Sequence, residues 1–503
     1  MPVPGRSWLA DLRSRLGAGA TKEDGLGILA FEAAAAMSRL VSLHVALSDA
    51  EVRRLRGDAL RSEGVARLTS TDQAHLLRLA CAELLADLDR AADAAARIGA
   101  RCNSTSTSTT TTLLLLREFD RVYADAKRGS RLAQLDATVG FSRGASKRLR
   151  EMERHVAATA RLYAEMDALG ELEASERRME QWMRHSGPMV IPAQAAAAAG
   201  KTRPTAEPGE KLLRELKAQR HKVRKLMEGG GGGSLWSVPA SKAARLMAKS
   251  VLAVLARISV VFGAVVPGLP TLTPTVAGRG AWAAAPGNSS GPLHRGAAAV
   301  PIRHSAPIFR QNDTSPPLES VMIKPAASTV GGAGMELRYA KVILSAETLL
   351  AALRPTPAGG DNNNNSSEVP VGIDLSKRDG LYKLLPVSIR EAVNARLRER
   401  WWRGQQPPVV DEAAAAASRE TVERALRWLG PMAHDTVRWH DERSMERAQR
   451  FSVRPRALMV QTLHFADRRK ADDAIVEVLL GLSCVCWYDD ERRRLESLDW
   501  DDE

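Results

Sequence analysis

The sequence has few cysteines and few aromatic residues for its length. Four cysteines in 503 residues, none in a CxxC pair, are too few for a disulfide framework, and they favour a reducing compartment. Aromatic residues make up only 4% of the chain while alanine and leucine are abundant, which favours helices over sheets. The sequence therefore predicts an all-α protein, made of helical bundles joined by disordered low-complexity linkers.

Long apolar runs are also scarce. The N-terminus, MPVPGRSWLADLRSRLG, lacks the apolar segment of a signal peptide, which predicts a chain that is not secreted. The most apolar stretch, residues 250–266, contains Arg257 and is followed by Pro267. Because a membrane span needs about 20 mostly apolar residues, we predict a buried core helix here and no transmembrane span. Pro2 excludes an N-myristoyl anchor, which requires glycine at that position.

Acidic residues are outnumbered, and the excess of 72 Lys and Arg over 59 Asp and Glu gives a net charge of +13. Such an excess suits an anionic partner, and a basic, nucleic-acid-associated nuclear protein is one alternative. The charges are nevertheless scattered along predicted helices, and no nucleic-acid-binding motif accompanies them. The cluster at 217–225 fits either a nuclear-localisation patch or a solvated helix face. Binding to nucleic acid would have to weaken steeply with salt.

Low-complexity tracts divide the chain into helical blocks. Tracts rich in Pro, Gly, Ser, Thr or Asn bury too little apolar surface to offset the entropy lost on ordering. The predicted organisation is a flexible N-terminal tail (1–25), an N-terminal helical domain (26–185) with a loop insertion (103–112), a linker (186–210), central helices (211–267), a disordered linker (268–330), and a C-terminal helical domain (331–498) with a disordered insertion (355–376).

Local patterns predict where helices begin, end and pack. Ser48 followed by Glu51 three residues later is typical of a capping box. Pro386, Gly430–Pro431 and Gly481 are predicted to mark short turns between C-terminal helices. One apolar stripe of a long amphipathic helix is predicted at helical spacing, formed by Met152, Val156, Thr159, Tyr163 and Met166.

The segment GPMAHDTVRWHDE at 430–442 is the closest approach to a catalytic pattern. His434 and His440 are six residues apart, about 120° around a helix, whereas zinc proteases place two histidines at i and i+4. Arg438 can form ion pairs along the same helix with Asp435 and Glu442. A metal-dependent hydrolase is therefore the weakest alternative, and we predict no catalytic residue, no cofactor and no metal site.

Several longer stretches resemble a known plant family. LRWLGPMAHDTVRWHDERS, DGLYKLLPVSIREAVNARLR and GMELRYAKVIL are similar to the C-terminal domain of unknown function in the phytosulfokine-simulator and rapidly-elicited-protein family. GLGILAFEAAAAMSRL and SEGV are similar to its N-terminal domain of unknown function. The chain departs from the family pattern at Pro2, and at His155 and His440, where Tyr and Gln are expected. His434 matches it.

The resemblance implies a non-enzymatic adaptor or regulator of plant growth, peptide-hormone or defence signalling that acts through contacts with other proteins, with no small-molecule substrate. It also implies a location in the nucleus or cytoplasm, or at the periphery of the plasma membrane. The family-motif residues expected to act in packing or at an interface are Leu381, Tyr382, Leu385, Pro386, Ile389, Trp428, His434, Arg438, Trp439, Leu463 and Phe465.

Overall fold

The structure is a computed structural model in which most of the described chain is helical. Helices account for 82% of the described residues, and these contain no β-strand apart from two isolated bridges. The predicted all-α fold is therefore confirmed. The described residues are 25–101, 115–129, 132–186, 208–228, 233–270, 324–353, 375–401, 411–443 and 451–499.

The helices are numbered here in chain order. In the N-terminal half they are α1 (Leu29–Ala46), α2 (Asp49–Gly57), α3 (Glu63–Leu68), α4 (Gln73–Ala100), α5 (Phe119–Lys127), α6 (Leu132–Val139), α7 (Ala145–Ser186), α8 (Pro208–Met227) and α9 (Ala240–Phe262). In the C-terminal half they are α10 (Glu336–Ala352), α11 (Leu375–Leu384), α12 (Val387–Trp401), α13 (Glu412–Arg443) and α14 (Arg468–Asp499). Short 3₁₀ turns occupy 59–61, 235–237, 459–461 and 463–465.

Helix α1 lies at the centre of the N-terminal half, in contact with α4, α7 and α9. Its alanines are buried, and such small side chains let neighbouring helices approach closely. Helix α4 begins at Asp72, whose side chain accepts hydrogen bonds from the backbone N–H groups of Ala74 and His75. Helix α9 packs along α4, so part of the region predicted as central helices lies in the N-terminal core.

The apolar stretch at 250–266 is a core helix rather than an exposed one. Within α9, Val251, Leu255 and Ile258 are buried, and the Nε of Arg257 donates to the carbonyl of Leu47 at 2.9 Å. Among the described residues one helix, α1, is long and apolar enough to cross a membrane by length and composition, and 56% of it is buried inside the fold. A core helix of a soluble protein meets the same criterion.

Helices α7 and α8 pack against each other as a long hairpin. In the predicted stripe of α7, Met152, Val156 and Thr159 are buried and the two later members are half-buried. Ser48 caps α2 as predicted, since its side chain accepts the backbone N–H of Glu51.

The C-terminal half is built on α10, α13 and α14, and two of its predicted turns are wrong. Helix α13 continues through Gly430–Pro431, and α14 continues through Gly481. At Gly481 the glycine serves helix packing: a Cβ there would lie 2.5 Å from Cγ2 of Val422 on α13. At Pro431 the surrounding apolar positions, including Leu429 and Met432, are buried on both sides, so tertiary packing keeps the helix continuous.

The predicted loop insertion at 103–112 lies outside the described residues, as do most of the predicted tail and linkers. Two predicted linkers and the predicted insertion at 355–376 nevertheless extend too far. Residues 324–330 are described, with Val330 fully buried and Thr329 bridged to Asp467. Residues 208–210 belong to α8, and 375–376 belong to α11.

Candidate functional site

A cavity of about 390 Å³ opens where the N-terminal and C-terminal halves meet. One wall comes from α2, α3 and the turn between them, and the other comes from α13. We call it the junction cavity. Its lining residues are Arg54, Asp58, Ala59, Ser62, Glu63, Gly64, Arg427, Trp428, Pro431, Met432, Asp435 and Gln461. Two stretches of the family resemblance, SEGV and LRWLGPMAHD, thus form opposite walls of one cavity.

The two walls touch at Gly64. A Cβ at this position would lie 2.6 Å from Sδ of Met432 and 2.7 Å from the carbonyl oxygen of Trp428, so no other residue fits without moving α3 away from α13. One turn further on, the guanidinium of Arg67 stacks over the indole of Trp428 at 5.3 Å from the ring centroid. Glycine is therefore required here by close approach between the two halves.

The cavity carries both signs of charge. Burial raises the pKa of Asp435, while the positive charges of Arg438 and Arg54 lower it. Arg54 also pairs with Glu51 at 2.7 Å, and Glu63 pairs with Arg67 at 2.8 Å. Arg427 is exposed on the opposite wall. A half-buried carboxylate, arginines and an indole ring suit the recognition of a polar side chain from another molecule.

A buried carboxylate locks the two halves together beside the cavity. Glu83 of α4 accepts hydrogen bonds from Nε1 of Trp439 at 3.3 Å and from the backbone N–H of Met459 at 2.6 Å, and it pairs with Arg443 at 2.5 Å. Burial raises the pKa of Glu83 to about 7, although Arg443 and these hydrogen bonds oppose the shift. All three donors belong to the C-terminal half, so Glu83 ties α4 to α13 and to the 459–461 turn.

An irregular segment crosses the N-terminal helices next to Glu83. We call residues 451–458 the strap. The hydroxyls of Ser38 and Ser42 on α1 donate to the carbonyl oxygens of Ser452 at 2.5 Å and Arg454 at 2.7 Å. The ring of Phe451 meets Tyr163 of α7 edge-on at 5.6 Å. Side chains of the N-terminal half therefore hold this C-terminal segment in place.

The family-motif residues fall into two groups. Around α13, Trp428 lines the junction cavity, Trp439 is buried against Glu83, Leu463 is fully buried and Phe465 is half-buried. Arg438 is on the same helix and pairs with Glu442 at 2.8 Å.

The second group lies around α11 and α12, away from the junction cavity. Leu381, Leu385, Pro386 and Ile389 are buried there. Tyr382 is 50% exposed, so it does not pack in the core, and Arg390 stacks on its ring at 4.9 Å.

The two histidines of the 430–442 segment point to different neighbours. Nε2 of His434 lies 3.1 Å from Oε2 of Glu347 on α10, with both side chains exposed. His440 contacts the ring of Trp439. Among the described residues, no group of three or more His, Cys, Asp or Glu side chains could hold a metal ion.

The Glu83 network includes residues that the sequence patterns did not single out. Glu83 and Asp87 are one turn apart on α4, and both are buried among alanines and leucines. Two carboxylates at i and i+4 within an otherwise apolar stripe indicate that each has a buried hydrogen-bond or ion-pair partner, because burying an unpaired charge is too costly. Asp87 has a local partner in Arg90, but the donors to Glu83 are more than 350 residues away along the chain and could not be identified locally.

Two family models match the chain, one on each side of the junction cavity. A domain of unknown function, DUF3475, matches residues 28–84, and a protein of unknown function, DUF668, matches residues 329–438. The chain is 25% identical to PSK SIMULATOR 1 of Arabidopsis thaliana over 469 residues, which is 92% of this chain and 56% of the relative. The chain is a homologue of the PSK SIMULATOR proteins.

Two further relatives match a similar share of the chain at similar identity. PSK SIMULATOR 3 is 25% identical over 472 residues, covering 92% of this chain and 56% of the relative, and PSK SIMULATOR 2 is 23% identical over 492 residues, covering 95% and 62%. The chain thus spans little more than half the length of these PSK SIMULATOR proteins. No solved structure matches it at a significant level. The junction cavity lies where the two matched domains of this PSK SIMULATOR homologue meet, and the donors to Glu83 follow the second matched range along the chain.

Proposed function

We propose that this chain is a non-enzymatic adaptor in phytosulfokine-related growth signalling, and that it binds a partner protein at the junction cavity. The observation that carries the proposal is that each matched domain supplies one wall of the cavity. A surface built in this way exists only while the two domains are docked, so it suits a protein whose role is to bring other proteins together.

The homology to PSK SIMULATOR proteins supports the signalling context. The mixed charge of the cavity, with Asp435 and Arg427 on one helix, supports a partner that presents a polar or charged side chain. The place of action that we propose is the nucleus or cytoplasm, or the periphery of the plasma membrane.

A growth assay tests the signalling role. The chain is expressed in Arabidopsis plants that lack PSK SIMULATOR 1, and root growth with and without phytosulfokine is measured. We expect the chain to restore growth toward that of wild-type plants. No restoration at normal protein levels would contradict the assignment to this pathway.

A pair of arginine variants tests the cavity itself. Arg427→Glu reverses the charge at the cavity wall, and Arg424→Glu makes the same change three residues earlier, at an exposed position that does not line the cavity. Proximity labelling with a functional fusion reports partners and compartment together. We expect Arg427→Glu to lose labelled partners that Arg424→Glu retains. Equal labelling by both variants would place the binding surface elsewhere.

A further inference from the structure

Four arginines from separate parts of the chain converge beside the strap. Arg39 comes from α1, Arg90 from α4, Arg443 from the end of α13, and Arg456 from the strap itself. Ser38 and Ser42, on either side of Arg39 along α1, hold the strap, while Asp87 and Glu83, one turn apart on α4, contact Arg90 and Arg443. The positive charges of Arg90, Arg443 and Arg456 each lower the pKa of Arg39. Such a convergence is unfavourable unless anions balance it.

The two carboxylates in the cluster are already engaged. Asp87 is in contact with Arg90 as hydrogen-bond acceptor, and Glu83 pairs with Arg443 at 2.5 Å. Burial opposes ionisation of Asp87, but Arg90, Arg443 and Arg456 outweigh it and hold the pKa of Asp87 below its ordinary value. In the described part of the chain, two carboxylates therefore face four guanidinium groups, which leaves an excess of positive charge among these side chains.

Arg39 has a buried hydrogen-bond donor without an acceptor. Its Nε is shielded from solvent and has no hydrogen-bond partner in the described part of the chain, although the charge of Asp87 attracts its guanidinium. Burial, the largest cause, together with Arg456, Arg90 and Arg443, lowers the pKa of Arg39 to about 10, against the opposing charge of Asp87. A buried N–H without an acceptor is costly, and native proteins normally satisfy it.

We propose that Arg39, Arg90, Arg443 and Arg456 form a binding site for a single phosphate group, with the Nε–H of Arg39 as one of its donors. A tetrahedral dianion supplies several acceptor oxygens and offsets the excess charge, and arginine forks match its geometry. The half-buried position of Arg39 and Arg456 suits one small anion rather than a nucleic-acid duplex, which needs a row of exposed cations.

A phosphate group of this kind is either free inorganic phosphate or a phosphorylated side chain of a partner. Both sources share the same chemistry at the arginines. The site lies beside the strap and does not depend on the proposed growth function, so failure of the plant experiment leaves it unaffected.

Phosphate binding is measured with the full chain, by thermal unfolding and by titration calorimetry. Sodium phosphate is compared with sodium chloride at equal ionic strength, and O-phosphoserine is the second ligand. We expect the melting temperature to rise with phosphate concentration and not with chloride, because a ligand that binds only the folded state stabilises it. Binding of O-phosphoserine would identify an accessible site for a modified side chain, and binding of inorganic phosphate alone would identify the free ion.

The variant Arg39→Met tests whether Arg39 binds phosphate or only stabilises the fold. The variant keeps a long unbranched stem but removes the guanidinium and its unpaired N–H. We expect phosphate affinity to fall at least about tenfold, while the melting temperature without phosphate stays level or rises because a repelling buried charge is gone. Arg454→Met is the matched control, since Arg454 is an exposed arginine of the same strap. Its phosphate response should equal that of the wild type.

Arg456→Met provides a second variant in case Arg39→Met does not fold, and it should also weaken phosphate binding. The proposal is overturned if phosphate stabilises the chain no more than chloride does. It is equally overturned if Arg39→Met and Arg456→Met bind phosphate as tightly as the wild type, or if Arg454→Met loses binding as they do.

Discussion

Trp439 packs among C-terminal residues and contacts the N-terminal half through its indole nitrogen. The residue is 9% exposed, its Nε1 donates to Glu83, and the guanidinium of Arg443 stacks on its ring at 4.8 Å. Trp439→Ala should lower the free energy of unfolding by about 3–5 kcal/mol, because it leaves a cavity and removes one of the three donors to Glu83.

Chemical denaturation measures the effect of Trp439→Ala. Trp439→Phe keeps most of the ring and removes only the donor, so it should cost about 1–3 kcal/mol. Arg424→Ala on the same helix is exposed and should change the unfolding free energy by less than about 1 kcal/mol. A loss near zero for Trp439→Ala would mean that this indole is not part of the core.

The raised pKa of Glu83 predicts a pH dependence of stability. At pH 6 the folded chain holds a proton on Glu83 that the unfolded chain, with the ordinary pKa of 4.5, has released. Folding therefore takes up a proton, and the contribution of Glu83 to stability is lost as pH rises from 4.5 to about 7. The loss amounts to at most about 3 kcal/mol.

Glu83→Gln isolates this contribution, since glutamine cannot ionise. The quantity to measure is the difference in unfolding free energy between wild type and variant at several pH values. Burial also lowers the pKa values of His44 and His464, but both histidines are present in the wild type and the variant, so their effects cancel in the difference. The difference should fall as pH rises through this window and level off above it. A difference independent of pH would contradict a protonated Glu83.

At the residue scale, sequence patterns predict what depends on near neighbours. The Ser48 cap and the α7 stripe follow from residues three to four positions apart, and both are present. The role of Glu83 could not be predicted in the same way, because its three donors come from residues 439–459. Only the unusual placement of Glu83 and Asp87 among alanines hints at it.

At the element scale, α13 shows how tertiary packing overrides a local break signal. Pro431 lacks the N–H that would bond to the carbonyl oxygen of Arg427, a loss that costs about 3 kcal/mol in a helix interior. The helix nevertheless runs from Glu412 to Arg443, since α10, α14 and α3 pack along it. Gly–Pro is a sound signal for a helix boundary, but it carries no information about these distant contacts.

Pro431→Ala should therefore raise the unfolding free energy, by about 1–3 kcal/mol, since alanine restores the missing hydrogen bond and is the best helix former. Pro386→Ala is the matched control, because Pro386 precedes the first turn of α12 and no helical bond is missing there. That variant should lose about 0.4–1 kcal/mol through greater freedom of the unfolded chain. Destabilisation by Pro431→Ala would mean that α3 and α10 require the backbone shape that proline imposes.

At the scale of the whole molecule, the two matched domains share one apolar core. The same contiguous cluster includes Met37 and Leu88 from the N-terminal half and Leu429 and Ile475 from the C-terminal half. Hydrogen bonds also cross the junction: the backbone N–H of Asp467 donates to the carbonyl oxygen of Leu68 at 2.8 Å. The low-complexity tracts suggest separate domains connected by linkers, and composition alone cannot reveal that distant blocks pack together.

A shared core predicts that the halves unfold together. Differential scanning calorimetry of the full chain should show one cooperative transition, because unfolding either half exposes the core of the other. Gly64→Leu should separate it into two transitions or lower its midpoint sharply, since the added side chain must push Met432 and the backbone of Trp428 away from α3. Gly57→Ala is the matched control, as a Cβ at Gly57 meets nothing within 4 Å. Two transitions in the unaltered chain would show that the halves are held together too weakly for the junction cavity to act as one surface.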